Sequence, residues 1–197
     1  ELNGDVTVDG GVDIDTIKII ETASTLTDAS FTDVVRFEKL DLDGSGVQKV
    51  TLASEANAAF ASNGIIITVN EAATSLNLDG TNSTVTITSN GTNNADTLVG
   101  GSANDTFTGG TGTDSIDGGG ADDTVIVASA AILNAYSTVI GGTGTDIIQV
   151  NSGSAANTLA DVDFTDVLTF EKLALSGTGA QTITLGTETN AAFASNG

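Results

Sequence analysis

Between residues 91 and 126 an apolar side chain recurs at every ninth position: Leu98, Phe107, Ile116 and Val125. Each lies in a short run such as Thr97-Leu98-Val99, with polar, glycine-rich sequence on either side. Side chains along a strand point alternately to its two faces, so such a run turns one side chain inward and two outward. Three residues of strand and six of turn predict a flattened coil, in which two nine-residue units complete one circuit. Longer stretches on both sides alternate apolar and polar residues, the pattern of half-buried strands. They are VVRFEKLDL and QKVTLAS within 20–52, and VLTFEKLAL and QTITLGT within 151–185. The pairs Gly44/Gly46 and Gly177/Gly179 mark the turns between them. Three more strands, IIITVN at 65–70, TSLNLDG at 74–80 and STVTITSNG at 83–91, follow at nine- to ten-residue spacing and lead into the nine-residue units. Phe37 and Phe170 are expected in the core beside Leu40 and Leu173. Residues 187–197 predict one short helix, with Thr187 as N-cap, Gly197 at its C-terminal stop and Phe193 pinning it to the core. Its twin is 54–64. The pattern predicts an all-β fold, a parallel β-solenoid with one short helix per period. A β-sandwich in the portions flanking the nine-residue units is the rival.

The chain also repeats at long range. Residues 28–64 return at 161–197 with 24 of 37 positions identical, and Phe31, Phe37 and Phe60 recur as Phe164, Phe170 and Phe193. Upstream, 10–19 matches 141–150. The expected organisation is the C-terminal half of one tandem repeat at 1–64, followed by one full repeat of about 133 residues at 65–197. The first holds a nine-residue unit at 10–18, strands over 20–52 and the helix at 54–64. The second holds solenoid strands at 65–90, four units at 91–126, a further coil of the same kind at 132–149, strands at 151–185 and the helix at 187–197. In such arrays each coil contacts only its neighbours. The first residue is Glu1 rather than Met, so the chain is expected to begin inside a longer product.

The sixth place of the four units is always aspartate: Asp96, Asp105, Asp114 and Asp123. Unit 109–117, GGTGTDSID, is complete; the first unit has Thr92 and Asn94 in place of its second and fourth glycines, and the second and fourth units carry Ala103 and Ala121 at the fourth place. Glycine accepts positive φ without steric cost, so a six-residue turn can curl its carbonyls inward. Calcium wants roughly six to eight oxygens from carboxylates and carbonyls. One turn offers too few and two stacked turns offer enough. The coil geometry stacks Asp96 with Asp114 on one edge and Asp105 with Asp123 on the other. The pattern GGxGxDxUx, four times in phase, resembles the RTX (repeats-in-toxin) calcium-binding β-roll family. The resemblance implies an RTX-type β-roll continuous with calcium-free solenoid coils, and Ca2+ as its cofactor. It places each ion between turns of adjacent coils on one edge, sharing Asp carboxylates and turn carbonyls. The turn glycines drawn into those sites are Gly101, Gly110, Gly112, Gly119, Gly142 and Gly144. Five extra residues, VASAA, follow Ile126, and Asp146 is expected to continue the Asp105/Asp123 edge past that bulge. Unit 132–140 keeps Val139 but has Ser137 at its sixth place. Asp15 is expected to form the equivalent of the Asp146 site. The competing view of 91–126 is a Gly/Asp-rich surface loop without metal. Glu38 and Glu171, next to Lys39 and Lys172, read as solvated charges at a strand bend.

Composition narrows the function. Formal net charge is −21, from 26 acidic and five basic residues. Nucleic acid and anionic membrane surfaces are repelled by such a chain, and divalent cations are attracted. No apolar run is long enough to insert into a membrane. Histidine and cysteine are both absent, which removes triads, thiol nucleophiles and His-based zinc sites. The chain is therefore expected not to be an enzyme. Long acidic tandem arrays free of cysteine resemble bacterial cell-surface proteins, both surface-layer proteins and giant RTX adhesins. The resemblance implies export by type I secretion, an extracellular place on the bacterial surface, and self-association into a filament or lattice. The alternative is the stalk or ligand-binding module of an adhesin.

Overall fold

Strands this short cannot fold alone, because each carries one or two inward side chains and pairs only through its neighbours. The computed structural model describes residues 7–61 and 64–193, and in it every paired strand lies parallel to the strand one coil later. One sheet has seven strands, in spatial order Ser24–Leu26, Val47–Thr51, Ser75–Asp79, Thr97–Val99, Ser115–Gly120, Thr138–Thr143 and Val167–Leu168. The other has eight: Thr16–Ile19, Lys39–Leu42, Ile65–Val69, Ile87–Asn90, Thr106–Thr108, Thr124–Val127, Ile147–Asn151 and Lys172–Ser176. Two small parallel pairs, Val8–Asp9 with Val34–Val35 and Asn157–Leu159 with Gln181–Ile183, widen the longer coils. The chain is a parallel β-solenoid. A sandwich in the flanking portions would need antiparallel pairs, and the described pairs are parallel throughout.

Coil length varies along the axis. Within the nine-residue units Leu98 pairs with Ile116, eighteen residues on, and Thr106 pairs with Thr124. Further out the coils grow, so that Thr16 pairs with Lys39 and Val47 with Ser75. Register nevertheless holds across the whole stack. One inward ladder runs Ile17, Leu40, Ile67, Ser89, Phe107, Val125, Ile148 and Leu173. A second runs Val50, Leu78, Leu98, Ile116, Val139 and Val167. Burying each fully covered Leu or Ile of these ladders contributes about 1.5–3 kcal/mol; Ile17 and Leu173, at the two ends, are only partly buried. Ser89 interrupts the first ladder; Gln48, with no exposed surface, lies opposite Leu76 and is satisfied: its Nε2 donates to the Thr22 and Gly46 carbonyls, and its Oε1 accepts from the Ser24 hydroxyl.

The longer coils carry short helices at a corner. Ser54–Ala59 and Thr187–Ala192 are the expected pair, each shorter than the sequence suggests. Neither has a side-chain cap of its own, and the residue before Thr187–Ala192 is Gly186, so Thr187 is not the N-cap. A neighbouring coil supplies the cap instead. Asp28 accepts the amides of Ala53, Glu55 and Ala56, and Asp161 accepts those of Glu188 and Thr189. Gly197, the expected stop, lies outside the described residues. Phe31 meets Phe60, and Phe164 meets Phe193, edge to face at 5.5 and 5.7 Å. Helical turns are also more numerous than one per period. The VASAA insertion begins in the strand Thr124–Val127 and ends in a short helix, Ala130–Leu133, and Asp28–Phe31 and Asp161–Phe164 are single 3-10 turns. VVRFEKLDL is not one strand. It bends at Arg36, whose φ is 58°, between Val34–Val35 and Lys39–Leu42, and its twin bends at Thr169, also at 58°. Of STVTITSNG only Ile87–Asn90 is strand.

Candidate metal centre

The residue just before each strand faces its counterpart one coil away, and in the nine-residue units that residue is the sixth-place aspartate. Asp96 precedes Thr97 and Asp114 precedes Ser115 on the edge leading into the seven-stranded sheet. Asp105, Asp123 and Asp146 precede Thr106, Thr124 and Ile147 on the other edge. The structure brings them into two columns. Asp114 Oδ1 accepts the Asp96 amide at 2.9 Å. Asp123 Oδ1 accepts the Asp105 amide at 2.7 Å, and Asp146 Oδ1 accepts the Asp123 amide at 2.8 Å, across the helical bulge. Asp96 and Asp105 begin the columns by accepting the amides of Leu76 and Ile87.

The second carboxylate oxygens divide the aspartates into two kinds. Asp105 Oδ2 accepts the Gly101 amide at 2.8 Å, and Asp96 Oδ2 accepts the Thr92 amide at 2.5 Å, so those turns close on themselves. The Oδ2 atoms of Asp114, Asp123, Asp146 and Asp15 are buried and have no hydrogen-bond partner. Backbone conformation explains the split. Gly110, Gly119, Gly142 and Gly11, at the second place of these turns, have φ of 92°, 99°, 110° and 115°. Gly112, Ala121 and Gly144, at the fourth place, are left-handed as well, at 135°, 75° and 145°. Thr92, Gly101, Asn94 and Ala103 are not among the positive-φ residues. The glycines are also pressed against the coil below. A Cβ on Gly112 would come within 2.5 Å of the Asn94 carbonyl oxygen, and one on Gly119 would collide with that of Gly101.

Burial without a counter-charge raises the carboxyl pKa values. Desolvation lifts Asp105 and Asp114 to about 6 and Asp123 to about 7; repulsion from Asp105, Asp146 and Asp117 adds to the last. Asp96 and Asp146 shift upward for the same first reason. Two of the chain's five cationic side chains are engaged elsewhere. Lys18 pairs with Asp41 and Asp43 at 3.3 and 3.0 Å, and Arg36 pairs with Asp9, all on the exposed surface. A buried polar atom left unpaired is costly, and several anionic ones in a column are more so. Buried carboxylate oxygens beside stacked main-chain carbonyls form an all-oxygen, acceptor-only donor set, which fits a hard divalent cation. Among the described residues no three acidic side chains cluster, so carbonyls must supply much of any coordination shell.

The profile of the RTX calcium-binding nonapeptide repeat, in four copies, matches residues 90–125. These residues are RTX repeats. Ca2+ is the ion that such repeats bind, and the RTX segment here is the part of the solenoid with eighteen-residue coils. No curated protein and no solved structure matches the chain.

Two features of the acidic columns escape the sequence. Glu38 and Glu171 are not solvated charges at a bend. Glu38 is only 7% exposed, and its Oε2 accepts the Asp15 amide at 2.9 Å; Glu171 Oε2 accepts the Asp146 amide at 2.7 Å. The available signal was an acid two places before an inward apolar residue, as in Asp146-Ile147-Ile148 and Glu171-Lys172-Leu173. The second feature is Tyr136, 2% exposed, whose hydroxyl lies 2.7 Å from where a Gly109 Cβ would stand. On the other edge the Gly118 carbonyl holds the corresponding place against Gly100, so the phenol closes the Asp96/Asp114 column.

Proposed function

We propose that the chain is a non-catalytic structural segment of a secreted bacterial surface protein, a surface layer, sheath or filament, locked into shape by extracellular calcium. The observation that carries this is the set of buried, unpartnered Oδ2 atoms on Asp114, Asp123 and Asp146, each inside an RTX-type turn. Those carboxylates, with Asp96, Asp105 and Asp15, would hold Ca2+ together with carbonyls of the turns containing Gly101, Gly110, Gly112, Gly119, Gly142 and Gly144. The ion supplies positive charge to stacked carboxylates and oxygen-ligand bonds that tie one coil to the next. Modules working outside cells bind calcium at about 10⁻⁴–10⁻³ M, so the columns would fill on export and stay open inside the cell. Because ionised ligands are stacked only in the folded chain, binding free energy becomes folding free energy.

The end coils support growth along the solenoid axis. In the first copy of the long repeat, Leu40, Leu42, Val50, Leu52 and Phe60 are at most 1% exposed, covered by the coil holding Ile65–Val69 and Ser75–Asp79. Their counterparts in the second copy lie open: Ile183 is 37% and Leu185 62% exposed, with Leu173, Leu175 and Phe193 only partly buried. A further coil of the 65–79 type, with apolar residues at alternate positions, fits that surface. Among the described residues no helix is long and apolar enough to cross a membrane. Light scattering across a calcium titration tests the proposal. A lattice or filament protein gains mass as calcium rises; the stalk of an RTX adhesin stays a single extended monomer.

A further inference from the structure

We propose that Glu171 and Glu38 are calcium ligands in their own right, so that the acidic columns run one coil beyond the glycine-rich turns. The proposal rests on the reading that the columns bind Ca2+. It assigns one site between Asp146 and Glu171 and a counterpart between Asp15 and Glu38, neither of which contains a second GGxGxD turn.

The corner Thr169-Phe170-Glu171, between Val167–Leu168 and Lys172–Ser176, takes over the geometry of the repeat turn. Lys172 pairs with Ile147, which sets Glu171 opposite Asp146 as Asp146 is set opposite Asp123. Glu171 Oε2 accepts the Asp146 amide at 2.7 Å, the same bond that Asp146 Oδ1 makes to the Asp123 amide at 2.8 Å. The main chain follows suit. The Gly141 carbonyl abuts the position of a Gly118 Cβ, and the Thr169 carbonyl abuts that of Gly141. Thr169 adopts a left-handed φ of 58° to place it there, and its hydroxyl accepts the Gly142 amide at 2.8 Å. The corner has three residues where the repeat turn has six, and the longer glutamate reaches the same amide.

Asp146 marks this place as a ligand site rather than an acidic cluster. It is fully buried, its Oδ2 has no partner, and that atom comes within 2.8 Å of the same Gly141 Cβ position that the Thr169 carbonyl abuts. A carboxylate oxygen and a carbonyl oxygen thus border one space, with a second carboxylate, that of Glu171, held beside them. The first copy repeats the arrangement. Glu38 Oε2 accepts the Asp15 amide at 2.9 Å, Asp15 Oδ2 is unpartnered, and the Arg36 carbonyl abuts Gly10. The opposite edge gives the contrast. There the Asp114 column ends on the Tyr136 hydroxyl and on Ser137, whose amide donates to the Asp114 carbonyl at 2.8 Å, and no carboxylate follows.

The test counts bound calcium per chain, by equilibrium dialysis and elemental analysis, in the wild type, Glu171→Gln, Glu38→Gln and the double variant. Glutamine keeps an oxygen to accept the same amide, so the coil stacking is retained. Each single variant should lose one bound ion, or bind it at least about tenfold more weakly, and the double variant should lose both. Terbium emission sensitised by Tyr136, the only tyrosine in a chain without tryptophan, reads the untouched Asp114 edge and should be the same in all four proteins. Wild-type stoichiometry and affinity in the double variant, with that emission intact, would overturn the proposal while leaving the columns themselves standing. A wild-type chain that binds no calcium at all would overturn both.

Discussion

A single oxygen atom separates the two kinds of aspartate in this solenoid. Where the second residue of the turn is Thr92 or Gly101, its amide reaches back to the carboxylate; where that residue is a left-handed glycine, the amide turns away and Oδ2 is left bare. Burial of the stacked carboxylates, whether or not their second oxygen is bare, makes the metal-free protein sensitive to acid in an uncommon direction. Asp105, Asp114 and Asp123 rise from 3.8 to about 6, 6 and 7 because burial penalises their charge. Between those values the folded chain binds more protons than the unfolded one, so stability declines as pH increases. In EDTA the melting temperature should therefore fall from about pH 4 to about pH 7, with the contribution of these groups complete below that window and lost above it. Saturating calcium should reverse the slope, since the metal requires the ionised carboxylate. Melting curves over that range, with and without the ion, check both signs.

The elements differ in how openly the sequence announces them. Each nine-residue unit carries its own turn, strand and acid, so the coil, the two aspartate columns and the continuation to Asp146 are legible from spacing alone. The bend inside VVRFEKLDL is not, because apolar alternation runs straight through it and the left-handed residues are Arg36 and Thr169, which give no turn signal. The burial of Glu38 is likewise set by register with a strand twenty-three residues away. Helix caps are hidden for the same reason: Asp28 serves Ser54–Ala59 from one coil below. Replacing it with alanine should leave three amides without that acceptor and cost about 1 kcal/mol, as loss of an N-cap does. Urea unfolding of Asp28→Ala in calcium would show the midpoint lowered with an unchanged slope.

Across the whole molecule, one long apolar core is held in a strongly acidic shell. The ladders of Val, Ile, Leu and Phe give each coil a reason to stack, and a formal charge of −21 gives the chain a reason to spread. Cysteine is absent, so no disulfide can serve as a staple, and the described ion pairs lie away from the columns. On the proposed function, a divalent cation would resolve that conflict at the turns where it is sharpest. On the same proposal, the apolar end coil would let one stiffened unit continue into the next. Far-UV circular dichroism at neutral pH, recorded in millimolar calcium and again after EDTA, tests this most directly. The β signal should be present with calcium and largely lost on chelation; a spectrum unchanged by EDTA would contradict the account.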